Sequence, residues 1–182
     1  TSSGTSMSTP NAMGSTVLLL DYFQERFPGQ TMRASTIKGL LIHTADDIGN
    51  PGPDYLYGWG LMNTLAAAQV IRDHADGGGN PVIVEDILTT AAPAKSSSFT
   101  WNGTDAIRVT LCWTDPAGTS TTNHDDRSPR LVNDLNLKVT GPGGTLHLPF
   151  VMPYVGDWSN AKLSAPATTG VNNVDNVEQV LI

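Results

Sequence analysis

The sequence predicts a mostly helical first part followed by an antiparallel, jelly-roll-like all-β sandwich, and three observations carry that expectation. Apolar residues recur at helical spacing up to about residue 75. Beyond residue 106 they alternate with polar ones, at the period of two that a half-buried strand requires. Between the two patterns, Asp76-Gly77-Gly78-Gly79-Asn80-Pro81 has nothing with which to hold regular structure. Residues 76–81 are therefore read as a linker between a part spanning 1–75 and a part spanning 82–182, the latter stopping short of a complete sandwich.

The first helix begins in small polar residues and runs into Val17, Leu18, Leu19, Leu20, Phe23 and Phe27. Apolar residues on nearly every side predict that it is buried, and Phe27-Pro28-Gly29 ends it. A second helix is expected from about Ser35, its cap, with Ile37, Leu40, Leu41 and Thr44 on one buried face. Gly49-Asn50-Pro51-Gly52-Pro53 reads as a loop, and a third helix runs from near Asn63 to about His74. In the second part, Ile107, Val109, Leu111 and Trp113 mark one strand and Leu135, Leu137 and Val139 another. Gly141-Pro142-Gly143-Gly144 reads as a hairpin turn into a strand over 145–151, and Asn176 to Ile182 as a last strand. There is no internal repeat. Both ends look cut, which predicts a fragment or a processed chain.

Composition narrows the function classes. With 39% hydrophobic and 15% charged residues in a chain of 182, a packed core is within reach. A net charge of −7 leaves no basic stripe for a phosphate backbone, so nucleic acid is not an expected partner. Acidic loops could hold a cation such as calcium. No run approaches the roughly 20 apolar residues of a membrane span, so no membrane partner is expected. Cys112 is the single cysteine, read as a small apolar strand residue, and no His/Cys spacing for zinc exists. No organic cofactor is expected.

One segment carries chemistry. Gly4-Thr5-Ser6-Met7-Ser8-Thr9-Pro10 places the Ser6 hydroxyl at a helix N-terminus, where free N–H groups and the dipole favour negative charge. Gly4 is read as giving a tight approach turn, and Pro10 as lying in the first turn, where no N–H is needed. On this physics alone Ser6 reads first as a plain N-cap. An α/β-hydrolase elbow is excluded, because Gly-x-Ser-x-Gly needs glycine where Ser8 stands.

The segment Gly4 to Pro10 resembles the nucleophile signature of subtilisin-like serine peptidases. The likeness continues through Ile37-Lys38-Gly39-Leu40-Leu41 with Thr44-Ala45, and through Tyr57-Gly58-Trp59-Gly60-Leu61-Met62-Asn63 with Ala66-Ala67-Ala68, covering roughly residues 1–72. It implies that the first part is the C-terminal portion of an α/β catalytic domain and that Ser6 attacks a peptide carbonyl. The family order is Asp, His, Ser, so both partners and the amide completing the oxyanion hole are expected upstream of Thr1. Gly4, Thr5 and Ser6 then form the nucleophile turn, and this piece alone is expected to be inactive. A protein or peptide substrate, the upstream half of the same peptidase as partner, and secretion are implied in the same way. Met7, beside the nucleophile, is expected to inactivate the enzyme on oxidation. Val17 to Leu20 are expected to lack cover where a parallel sheet is missing.

Residues 82–182 resemble the C-terminal β domain of some secreted alkaline members, through Arg108 to Pro116, Leu131 to Leu137 and Asn173 to Val180. Relatives of that domain bind calcium, which makes Asp115, Asn133 and Asp134 candidate ligands, with ordinary turn roles as the rival reading. Asp125 and Asp126 read as loop solvation. His43 reads as a satisfied structural residue, and His124 and His147 as surface ones. Trp101, Trp113 and Trp158 read as core rather than as a carbohydrate platform. Asn102-Gly103-Thr104 fits a glycosylation sequon by pattern. The rival to a peptidase is a non-catalytic module in which the sandwich stabilises an enzyme or docks a substrate.

Overall fold

The computed structural model describes residues 3–77, 82–124, 126, 128–153 and 159–182. Three helices come first, α1 (Thr5–Arg26), α2 (Ala34–His43) and α3 (Thr64–Ala75). Six short strands follow, β1 (Arg108–Cys112), β2 (Val139–Thr140), β3 (Leu146–His147), β4 (Phe150–Val151), β5 (Thr168–Thr169) and β6 (Val177–Leu181). Helices and then antiparallel strands is the order that the change of period predicts. Residues 78–81 of the expected linker, with Asp125 and Trp158, lie outside the described residues.

The helical core is the cluster Leu19, Phe23, Met32, Leu40, Ala67 and Ile71, with Ile83 from beyond the linker packed against it. Ala67 and Ile71 are fully buried, one turn apart on α3, facing α1. Asn63 caps α3 by accepting the Ala66 N–H at 2.9 Å, which fixes the start that the sequence indicated. Helix α1 is buried on one side only. Leu19 and Phe23 are in the core, while Met13, Val17 and Leu18 are 68%, 54% and 66% exposed. Val17 and Leu18 lack cover as expected, whereas Leu19 lies in the core and Leu20 packs against it, so the expectation fails for those two.

Two helix details differ from expectation. Helix α2 starts at Ala34, so Ser35 lies inside it and makes no side-chain cap. The cap comes from far along the chain, because the Glu85 carboxylate accepts the Arg33 N–H at 3.1 Å and bonds the Thr36 hydroxyl. Pro10 falls in the second turn of α1 rather than the first, so the Ser6 carbonyl lacks the N–H that would meet it four residues on.

Strands β1 and β6 pair antiparallel over five residues each, from Arg108 opposite Leu181 to Cys112 opposite Val177. One face of this ribbon meets α2, through Arg108, Thr110 and Cys112. The other carries Trp113, Glu178 and Val180, buried towards residues 133–139. The expected strand over 135–139 is mostly unpaired, since only Val139–Thr140 form a ladder, with β3. The Leu137 N–H bonds the Glu178 carboxylate instead. The expected strand 145–151 divides at Pro149, which has no N–H to donate, so Leu146–His147 pair with β2 and Phe150–Val151 with β5. The turn between β2 and β3 is as read, with Gly143 and Gly144 at φ 78° and 84°. Among the described residues the β region is three two-stranded sheets.

Glu178 is 1% exposed, and its Oε1 has no hydrogen-bond partner among the described residues. Burial pushes its carboxyl above the usual range; the Leu137 N–H works against that, while Asp134 and Asp175 add to it. A group raised in the folded state contributes stability below its unfolded pKa, near 4.5, that is lost as pH rises through the folded value. Glu178→Gln should therefore raise the melting temperature at neutral pH, with the gain fading towards about pH 4.5. Ile71→Ala should cost about 2–5 kcal/mol in a denaturant titration, because a buried branched side chain leaves a cavity between α1 and α3.

Candidate active site

Ser6 sits in the first turn of α1, directly after the capping residue Gly4. The Met7 and Ser8 N–H groups both bond the Gly4 carbonyl, at 3.0 and 3.2 Å. The Thr5 and Ser6 N–H groups have no intrahelical acceptor, as at any helix start. Ser6 is exposed, and its hydroxyl makes no hydrogen bond among the described residues. The geometry thus offers a free hydroxyl beside two free N–H groups at the positive end of a 22-residue helix. Gly4 is extended, at φ 161° and ψ 163°, and a Cβ there would meet nothing within 4 Å. Among the described residues no tight turn demands glycine at that position.

Two of the four histidines, His43 and His74, have partners of their own. His43 bonds Thr110, 3.0 Å from Nδ1 to Oγ1. His74 stacks on Phe27, at the far end of α1 and about 30 Å along the helix axis from Ser6 by helical rise. His147 is half-buried beside Gly141 rather than fully at the surface, and His124 is exposed. None hydrogen-bonds Ser6, so neither a base nor its orienting carboxylate is present among the described residues.

The expected metal residues are adjacent but turned to one another. Asp115 Oδ1 accepts the backbone and side-chain N–H groups of Asn133, both at 2.9 Å, and Oδ2 accepts the Val132 N–H at 2.7 Å. Burial opposes ionisation here, but these three donors outweigh it and hold the Asp115 carboxyl below the usual range. Asn133 gives Asp115 its side-chain N–H, and its backbone carbonyl accepts the Trp113 indole N–H. Asp134 follows next in the chain. No three His, Cys, Asp or Glu side chains among the described residues lie close enough to hold a metal. As arranged, the Asp115 carboxylate caps the turn at Val132 and Asn133.

Other polar residues matter more than the sequence indicated. Asp54 is buried, and the Tyr57 N–H, then Asn50 and Leu56, hold its carboxyl below the usual range against the cost of burial. Arg108 and Glu178 occupy alternate polar positions of strands, which read as surface in any period-two pattern. Only the partners across the seam reveal their roles. Trp113 is core, as expected, with its indole N–H on the Asn133 carbonyl at 3.1 Å, whereas Trp101 is 43% exposed. Asn102 folds its side chain onto the Thr104 and Asp105 N–H groups in an exposed turn.

Residues 1–60 match the model of the subtilase family. An extracellular serine protease of Serratia marcescens is 36% identical over 85 residues, 47% of this chain and 7% of that protein. Serotype-specific antigen 1 of Mannheimia haemolytica is 43% identical over 64 residues, 35% of this chain and 6% of that protein. The chain therefore spans under a tenth of the length of either relative.

If Asp115 is a turn cap, excess chelator should leave the melting temperature unchanged, and Asp115→Ala should lower it equally with and without calcium. A calcium-driven rise in wild type that Asp115→Ala abolishes would restore the metal reading.

Proposed function

Because residues 1–60 are a subtilase-family segment, we propose that the whole protein is a serine endopeptidase whose acyl-enzyme forms on Ser6. The observation that carries this reading is the free Ser6 hydroxyl beside the unbonded N–H groups of the first turn. A carbonyl placed over that turn would be attacked by Ser6 Oγ as the hydroxyl proton passes to a histidine. The carbonyl oxygen would gain charge next to the Ser6 N–H, where the helix dipole favours it. That histidine, the aspartate orienting it and the second oxyanion donor belong to the upstream half, so the isolated chain is inactive.

The bared stripe of Met13, Val17 and Leu18 supports the same reading, since a helix apolar beyond its visible contacts belongs against another layer. The β region is the partial jelly roll of an accessory domain that braces α2. Secretion follows from the name of the Serratia relative, and peptide substrates from the family. Among the described residues no helix is long and apolar enough to cross a membrane.

A fluorophosphonate probe applied to the full-length protein should label Ser6, as located by peptide mass spectrometry. Ser6→Ala should abolish labelling and lower kcat by about 10⁶-fold while leaving the melting temperature in place. Absence of labelling in a folded full-length protein would instead favour a non-catalytic module.

A further inference from the structure

Helix α2 ends against the β1/β6 ribbon on a chain of hydrogen bonds that runs through the His43 imidazole. Gln179 Nε2 donates to Thr110 Oγ1 at 3.0 Å. The same Oγ1 lies 3.0 Å from His43 Nδ1. Thr110 also has one proton to give, and the His43 Nδ1 is an acceptor within reach of it; with Nδ1 accepting, the imidazole proton sits on Nε2. Arg108, always charged, donates to the His43 carbonyl at 2.6 Å and to the Ala45 carbonyl at 3.4 Å. The end of α2 therefore already has its cation.

Among the described residues no carboxylate is paired with the His43 ring. From β1, Arg108 and the Cys112 thiol face α2. From β6, Gln179 is neutral, and Val177 and Leu181 stand opposite Cys112 and Arg108. Lys38, on α2 itself, is tied to the Asn176 side chain at 2.5 Å. Asp47, after α2, lines a small cavity with Arg108, and its carboxylate accepts the Gly52 N–H at 2.8 Å. On α3, which also packs on α2, Arg72 and Asp73 pair with each other at 2.8 Å and His74 lies on Phe27.

We propose that this seam is an acid-labile joint, in which a proton arriving on His43 Nδ1 loosens the β1/β6 ribbon from α2. Protonated Nδ1 is a donor, so Thr110 would face two donors and lose the acceptor for its own proton. The imidazolium would also lie beside the Arg108 guanidinium. Burial first, and Arg108 second, hold the His43 imidazole below its ordinary value of 6.5. A group lowered in the folded state contributes stability above its unfolded pKa that is lost as pH falls through the folded value. The seam is therefore closed at neutral and alkaline pH and weakens in acid.

Hydrogen exchange by mass spectrometry on the full-length protein, from about pH 8 to about pH 5 and corrected for intrinsic rates, tests this. In wild type, peptides covering 108–112 and 177–181 should open more in acid, by about tenfold for each unit separating the folded and unfolded pKa of His43. His43→Asn keeps a neutral acceptor where Nδ1 stands, and should remove the acid excess. Equal excess in both proteins, no excess in wild type, or equal opening of α1 and α3 would overturn the proposal. If the variant does not fold, titration of the wild-type imidazole by NMR decides, and a His43 pKa at or above 6.5 overturns it.

Discussion

Helix α2 is packed on two sides by different kinds of force, and the rest of the structure is arranged around that. Leu40 reaches the core formed with α1 and α3, an apolar contact without direction. The other side meets the β1/β6 ribbon so closely that a Cβ at Gly39 would stand 3.2 Å from the Cys112 Cβ. Around that approach the contacts are directional: Lys38 to Asn176, His43 to Thr110, and Arg108 to the carbonyls ending the helix. The apolar side supplies adhesion, and the polar side fixes the sliding and rotation of the helix on the ribbon. Both ends of α2 are capped by residues beyond the linker, Glu85 at its start and Arg108 at its finish.

The candidate nucleophile lies outside this frame. Both buried residues of α1, Leu19 and Phe23, belong to its C-terminal half, which packs on α3. The half that carries Ser6 has no buried residue, and Met7 and Met13 are 58% and 68% exposed. Catalysis by an activated serine requires placement within fractions of an ångström. Contacts among the described residues hold the far end of the helix, and no buried residue lies in the turn that carries Ser6. Among the described residues the β region meets the helices chiefly through α2.

What the sequence made legible follows how local each cause is. The start of α3 was readable because Asn63 caps it from the adjacent position, and the change of period was readable because burial on one face of a strand imposes it. The start of α2 was misplaced at Ser35 because its cap, Glu85, is some fifty residues away. The strand expected over 135–139 has the right alternation, yet its neighbour is a glutamate side chain rather than a ladder. Alternation reports which face is buried, not what hydrogen-bonds the backbone. Ser6 was legible as a residue type at a helix start, but its role came from resemblance, since an N-cap and a nucleophile share the same local pattern.

The same distinction bears on what a family match means. Much of the matched range 1–60 builds turns and packing. The segment from Asp46 to Leu61 is closed by paired N–H and carbonyl bonds at 2.9 and 2.8 Å between those two residues. Gly60, at φ 109°, leaves room where a Cβ would stand 2.1 Å from the Asp46 carbonyl oxygen, so the turn that sends α3 back to α1 admits glycine alone. Asp54 gathers the Asn50, Leu56 and Tyr57 N–H groups inside that turn. Such residues are constrained whether or not the enzyme turns over. The turn accounts for their presence by itself, so a match over residues 1–60 speaks for the local build of this segment and not, alone, for a chemistry.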